Sequence, residues 1–252
     1  MASTEPSNFY TGIVADLYAP LKGETFPAEP YARFIARWGE PALELACGDG
    51  EPLLELCRSG LDVAGLDSSA DMIERCRRRA AERGVDVTLY VARMEEMALG
   101  RRFRSIFLAG PSFNLVPDDD AARDALARIG DHLDPDGAAL VPLWIPPPTP
   151  ADALGVARRR VLDDGTVIAV TPVGEERDEL LRCRRTVLRY ERSSPAGVES
   201  AEREWLLHWY TPDGFTALVE SAGLRVLTTR GSDGGPLQPG ADSWAVTLGS
   251  AD

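Results

Sequence analysis

The stretch Glu44-Leu-Ala-Cys-Gly48-Asp-Gly50 and the acid Asp67 are the residues of this chain whose types and spacing best support chemistry. Two glycines directly behind a short apolar run let a backbone approach a ligand closely, because no side chain stands in the way. An acid closing a second apolar run, Leu61-Asp-Val-Ala-Gly-Leu66, accepts both hydroxyl hydrogens of a ribose. Together they predict an adenosine-bearing ligand at the carboxyl ends of two neighbouring strands. The acids around the glycines speak to the charge of that ligand. Glu44 precedes them and Asp49 separates them, so a pyrophosphate is repelled and a cation is favoured. A dinucleotide fingerprint also needs a third glycine, and Leu53 stands in that place.

The sulfonium and amino group of S-adenosylmethionine (SAM) carry positive charge that such acids do not repel. Side chains able to move a proton are few. His208 lies beside Trp209 and Tyr210 and is a candidate to line an acceptor pocket and act as a base. His132 ends a helical stretch, where its expected role is to favour the helix C-terminus. Tyr18, and with less support Tyr10, can present a hydroxyl to the reacting centre or anchor an apolar lid. Cys47 sits inside the glycine turn with no base beside it, so packing is its expected role. The runs Arg158-Arg-Arg160 and Arg182, Arg184, Arg185 read as solvated faces of strands.

The elements that position these residues follow from the apolar pattern. Phe9 to Trp38 holds two weakly amphipathic stretches broken by Pro20, Pro27 and Pro30, after a leader, Met1 to Ser7, expected to be disordered. From Pro41 strands and helices alternate: strands at Ala42–Ala46, Leu61–Leu66, Val85–Val91, Arg104–Ala109 and Ala138–Trp144, with helices at Glu51–Ser59, from Ser68 or Ser69 to Arg83, and from Asp118 to Leu133. Asp134-Pro-Asp-Gly137 is expected to be a turn. That alternation predicts a doubly wound, mainly parallel sheet. Pro146-Pro-Pro148 and Pro150 then stiffen a connector, and three antiparallel strands are expected at Thr166–Pro172, Leu180–Tyr190 and Glu202–Tyr210. A helix at Pro212–Ala222 and strands at Leu224–Thr229 and Ser243–Leu248 complete a seven-stranded main sheet. The expected organisation is an N-terminal lid over 1–40, a Rossmann-like core over 41–145, an inserted antiparallel sheet over 146–210, and the return of the core over 211–252.

Composition narrows the partners. The 252 residues carry a formal net charge of −13, which argues against nucleic acid or an anionic membrane surface. Lys22 is the sole lysine, so the basic residues are almost all arginine, a bias of composition rather than a site. None of the four cysteines forms a C-x-x-C pair or lies near a histidine, so neither a metal site nor a disulfide framework is expected. Reduced thiols and the absence of a signal-peptide pattern at Met1–Tyr10 point to the cytoplasm.

ALELACGDG followed by VAGLDSSADMI resembles motifs I and II of the class I SAM-dependent methyltransferases. More narrowly, the chain is similar to the small-molecule branch that includes glycine/sarcosine and amino-sugar N-methyltransferases. Tyr10, Tyr18, the segment Ala109-Gly-Pro-Ser-Phe-Asn-Leu115 and the segment His208-Trp-Tyr-Thr-Pro-Asp-Gly-Phe215 carry that likeness. The resemblance implies an α/β Rossmann-like enzyme that methylates N or O of a small-molecule acceptor. It implies that Ala46, Gly48 and Ala109 lie at the methionine part, with Glu44 and Gly50 also in the cofactor site, that Asp67 holds the ribose, and that Ser68 and Met72 flank the adenosine. Arg93 and Met94 fall at the adenine edge, and Tyr18 closes the site. The family often carries an acid or amide where Arg93 stands. Arginine has no acceptor, so a backbone carbonyl or Glu95 must receive the adenine amino hydrogens. The insert is a candidate homodimer interface. Two alternatives stay open at this point: a module that holds SAM without turnover, and an NAD-linked oxidoreductase.

Overall fold

The computed structural model describes residues 9–22 and 25–251, so the expected leader lies outside the described residues. Two helices come first, α1 (Ile13–Leu21) and α2 (Glu29–Trp38). The alternating unit follows as β1 (Ala42–Leu45), α3 (Leu53–Arg58), β2 (Val63–Asp67), α4 (Ala70–Arg83), β3 (Thr88–Val91) and β4 (Phe103–Leu108). After a 3-10 turn at Ser112–Leu115 come α5 (Asp119–His132) and β5 (Leu133–Trp144). The insert is β6 (Arg158–Val161), β7 (Val167–Asp178), β8 (Cys183–Ser194) and β9 (Gly197–His208). The chain closes with α6 (Pro212–Ser221), β10 (Leu224–Gly231) and β11 (Ser243–Ser250).

Local chemistry sets the helix ends. Ser69 accepts from the Met72 N–H (3.1 Å), Asp118 from Ala121 (2.9 Å) and Thr211 from Gly214 (3.1 Å), each cap worth about 1 kcal/mol. Gly84, at φ 63°, ends α4 in the left-handed conformation that a side chain resists.

The main sheet has the order β10-β11-β5-β4-β1-β2-β3. β1 pairs in parallel with both β2 and β4, and β11 enters antiparallel between β5 and β10. Helices cover both faces, so central strands are apolar on each side. Ile106 and Leu108 join a core with Leu126, Ile129, Phe215 and Trp244, while Phe107 between them joins Tyr31, Phe34, Leu54 and Ile73 on the other face. A third core is separate: Phe9, Ile13, Val14, Leu17 and Leu21 pack on Ile168, Val170 and Tyr190 of the insert. The two N-terminal helices therefore part company. α2 packs on the main sheet and α1 on the insert.

Three expectations are corrected. Asp134–Gly137 is not a turn between elements but a bulge within β5: Leu133 pairs with Phe103, and the next pair is Ala138 with Ser105. The turn residues supply that bulge, and Gly137 leaves room for the Arg104 carbonyl, which a Cβ would meet at 2.8 Å. The insert has four strands in the order β6-β7-β8-β9. β6 lacked a signal because its four residues are all exposed, an edge strand without alternation. Leu180 and Leu181, expected in a strand, form the β7–β8 hairpin tip, where Leu180 is 91% exposed.

Candidate functional site

The turn after β1 is a run of left-handed backbone: Ala46 at φ 53°, Gly48 at 55° and Gly50 at 94°. Gly50 is glycine for two reasons, since a Cβ would also lie 2.7 Å from Cys76 Sγ and 2.8 Å from Leu54 Cγ. At Gly48 conformation is the constraint and the space is open, with Met72 Cε 3.4 Å from a would-be Cβ. The parallel register aligns Leu45 with Leu66, which brings Asp67 beside this turn. The Gly48 N–H donates to Asp67 Oδ2 (2.8 Å) and the Ser69 N–H to Oδ1 (2.8 Å). Burial raises the Asp67 carboxyl, and the two N–H donors counter it. Each oxygen keeps a lone pair for a ribose hydroxyl.

Ala46, Gly48, Asp67, Ser68, Met72, Arg93 and Met94 line one cleft with Tyr10 and Tyr18. Thus the structure brings together most of the residues singled out in the sequence. Glu44, Gly50 and Ala109 are buried and do not line the cleft. Glu44 is fully buried, and neither of its oxygens completes a hydrogen bond. Burial pushes its carboxyl well above the usual range. Asp49 is different, because it forms an ion pair with Arg79. Arg93 pairs with Glu95 (2.6 Å), so both side chains at the expected adenine edge are already engaged.

The segment before β1 borders the cleft and is tied to its rim. Ser69 Oγ donates to the Tyr10 carbonyl (2.6 Å), the Gly12 N–H to Asp71 Oδ2 (2.7 Å), and Lys22 Nζ to Glu51 Oε2 (2.7 Å). The Tyr10 and Tyr18 rings meet edge to face at 5.5 Å. Burial pushes the Tyr18 phenol up to about 12, with Asp49 and Asp67 adding to it, and raises Tyr10 further still. Both phenols stay neutral near pH 7, able to orient a ligand by hydrogen bonding and unable to serve as ionised bases.

A second cavity of about 570 Å³ lies between α1 and the insert. Tyr10 and Tyr18 line it too, so the same two rings separate it from the first cleft. Val14, Leu17, Leu188 and Trp205 give it an apolar wall, and Lys22, Arg158 and Arg184 are its charged residues. Sequence reasoning missed this wall. The signal was period-two alternation along β8: Arg184, Thr186, Leu188 and Tyr190 share the cavity face. Arg184, read as solvated, is 6% exposed.

His208 lines neither cavity. It is buried at the end of β9, Nε2 3.6 Å from Asp119 Oδ1, with its ring edge to face with Tyr210 at 4.8 Å. Burial lowers its pKa and Asp119 opposes the shift. Its carbonyl accepts from Asn114 Nδ2 (2.7 Å), which also donates to the Trp144 carbonyl (2.8 Å). The base expected there thus stands away from both cavities, because its end of β9 packs against Asp119, Tyr210 and Asn114 instead. His132 holds α5 as expected of a structural residue: Nδ1 lies 2.7 Å from the Arg128 carbonyl, and the Leu99 N–H donates to Nε2 at 2.9 Å. Among the described residues there is no group of His, Cys, Asp and Glu disposed to hold a metal, and no helix is long and apolar enough to cross a membrane.

Comparison with known proteins follows this geometry. Residues 42–137 match the model of a methyltransferase domain. Over 231 residues, 88% of this chain and 93% of the relative, the chain is 29% identical to a dTDP-3-amino-3,4,6-trideoxy-alpha-D-glucopyranose N,N-dimethyltransferase of Streptomyces venezuelae. It is 33% identical to a dTDP-3-amino-3,6-dideoxy-alpha-D-glucopyranose N,N-dimethyltransferase of Streptomyces fradiae, a match that spans 58% of this chain and 59% of that relative. Among solved structures, DesVI of Streptomyces venezuelae superposes with a TM-score of 0.70 at 26% identity, covering 94% of this chain and 97% of that one.

Proposed function

This chain belongs to the class I SAM-dependent methyltransferases, and we propose that it methylates the amino nitrogen of a small sugar-like acceptor held between α1 and the insert. The family settles the class of reaction and with it the two alternatives left open by the sequence. What remains is the acceptor, and one observation carries the reading: Tyr10 and Tyr18 line both the cofactor cleft and the second cavity. A methyl group passing between two ligands has to cross where their sites meet.

The residues of the first cleft fit SAM. Gly48 offers a wall without a side chain, Asp67 has free lone pairs for a ribose, and Glu44 is a buried carboxyl that lacks a full partner. We assign Asp67 to the ribose, Met72 and Met94 to the adenosine, and Glu44, through the turn it supports, to the charge of the amino acid part. When bound, SAM supplies an already activated methyl group. The chain then has to position the acceptor and exclude water, which contributes about 7–11 kcal/mol in favourable cases.

Nitrogen is favoured over oxygen because, among the described residues, no histidine or carboxylate lines the second cavity. An amine attacks in its neutral form and sheds its proton afterwards, whereas an alcohol needs the proton removed as it attacks. The neutral phenols of Tyr10 and Tyr18 suit the orientation of an amine lone pair, and His208 is out of reach. The relatives named above act on amino sugars, which supports the same reading. On this proposal 41–145 and 211–252 form the cofactor core, and 1–40 with 146–210 supply the acceptor side. Incubation with SAM and a panel of amino sugars and their hydroxyl analogues, read by mass spectrometry, tests it. Methyl transfer to amines alone is expected, and transfer to the hydroxyl analogues alone contradicts it.

A further inference from the structure

Most of the charge in the wall of the second cavity is already matched. Lys22, Arg158 and Arg184 line it, and among the described residues no aspartate or glutamate does. Lys22 pairs with Glu51 at 2.7 Å and lies over the Tyr18 ring. Arg184 pairs with Glu175 (Nε to Oε2, 3.8 Å), donates to the Pro147 carbonyl, and sits 5.7 and 5.8 Å from the centres of the Trp144 and Trp205 rings. Thr149 and Thr186 bring hydroxyls to the wall, but both donate to the same Glu175. That leaves Arg158, which is exposed, donates to the Leu21 carbonyl (2.6 Å), and forms no ion pair among the described residues.

The rest of the wall is apolar and aromatic. Val14 and Leu17 come from α1, and Val170 and Leu188 from the insert. Phe9 and Trp205 stack with ring centres 6.1 Å apart, and Tyr190 meets Phe9 edge to face at 6.3 Å. The volume, about 570 Å³, falls within the roughly 300–1,000 Å³ of pockets that bury a drug-sized ligand, and one amino-sugar ring leaves much of it unfilled. A hydroxyl placed against these residues gives up water and gains no partner, which is unfavourable. A flat apolar ring leaves water favourably and gains contact with the aromatic wall. A diphosphate is poorly served there, with Arg158 as its one unpaired counter-charge among the described residues.

We propose that the acceptor is an amino glycoside of a largely apolar ring system, which fills this cavity while the amine of the sugar reaches Tyr10 and Tyr18. This rests on the reading of the second cavity as the acceptor site, and it names the body to which the sugar-like part is joined. The relatives named above act on dTDP-linked amino sugars. In this chain the apolar ring system takes the place of the nucleotide. The reaction that supplies the acceptor is then a glycosyl transfer onto that ring system, before methylation.

Calorimetric titration of the protein, saturated with S-adenosylhomocysteine, with naphthyl glucosaminide tests this, beside free glucosamine and thymidine diphosphate. The first probe carries an apolar bicyclic ring on the sugar, the second lacks it, and the third is the nucleotide alone. The variants are Leu188→Asn, which puts an amide in the apolar wall, and Leu188→Met, which keeps that wall apolar. S-adenosylhomocysteine affinity, retained within about twofold, shows that each variant is folded. Naphthyl glucosaminide is expected to bind the wild type about tenfold or more tighter than either other probe, to lose that advantage in Leu188→Asn and to keep it in Leu188→Met. The proposal is overturned if naphthyl glucosaminide does not bind, if glucosamine or thymidine diphosphate binds as tightly, or if folded Leu188→Asn keeps wild-type affinity for it. Should Leu188→Asn not fold, the order of the three probes on the wild type decides alone. Binding of naphthyl glucosaminide that depends on Leu188, with no methyl transfer to its amine, leaves the apolar site standing and faults the amine reading instead.

Discussion

At the scale of single residues, the buried carboxyl of Glu44 makes the sharpest statement. A carboxyl whose folded pKa is raised holds its proton more tightly in the native state than in the unfolded chain. Its contribution is present below the ordinary carboxylate value and is lost as pH rises through the raised one. Glu44→Gln is therefore expected to stabilise the cofactor-free protein at neutral pH and to flatten this part of its stability profile, measured by urea unfolding between pH 5 and 8. The same change is expected to weaken S-adenosylhomocysteine about fivefold to tenfold, because a cation near the turn loses its counter-charge. His208 runs the other way. Its folded pKa is lowered, so its contribution is present above the ordinary histidine value and is lost as pH falls. His208→Asn is expected to leave kcat within about twofold and to reduce the loss of stability between pH 7 and 5. A kcat loss of a hundredfold or more would restore it as a base. The residues of the glycine turn were legible in the sequence because local backbone constraint and local spacing reveal them. Arg184 was not. Whether an arginine on a strand faces solvent or a cavity depends on which helix covers that face, and α1 lies far away in the chain.

At the scale of elements, the turn between β1 and α3 separates two glycines by what each permits. Gly50→Ala meets both a positive φ and the Cys76 and Leu54 side chains, so about 2–4 kcal/mol of stability is expected to be lost. Gly48→Ala meets the conformational cost alone, about 1–2 kcal/mol, and its larger effect falls on cofactor affinity. Thermal unfolding and titration of the two variants read this difference, and equal stability losses would contradict it. Elements of the main sheet were largely readable, since buried parallel strands are apolar runs bounded by capped helices. β6 was not readable, being a short exposed edge held by pairing alone. The bulge at Asp134–Gly137 carried real turn chemistry, but only the neighbouring β4 shows that the chain resumes the same strand.

At the scale of the whole molecule, α1 is the element that joins the two halves. Toward the insert, Arg158 and Arg160 donate to the Leu21 and Pro20 carbonyls at its C-terminus (2.6 and 2.9 Å), and Arg192 reaches Asp16 (3.2 Å). Toward the core, Arg75 pairs with the same Asp16, and Ser69 holds the Tyr10 carbonyl. Asp16→Asn loosens both sides at once. It is expected to speed S-adenosylhomocysteine dissociation about twofold to fivefold and to raise amide exchange over residues 13–21, with exchange in β1 and β4 unchanged. Stopped-flow and hydrogen exchange measure the two effects, and unchanged dissociation would show that α1 does not gate the cleft.

The central claim is that the cleft between Gly48 and Asp67 holds the cofactor. Calorimetric titration of S-adenosylhomocysteine into the wild type and into Asp67→Ala and Asp67→Asn tests it most directly. The account predicts micromolar binding to the wild type and a loss of about tenfold or more in both variants, equivalent to about 1.4 kcal/mol. Wild-type affinity retained in two folded variants would place the cofactor elsewhere and contradict the account.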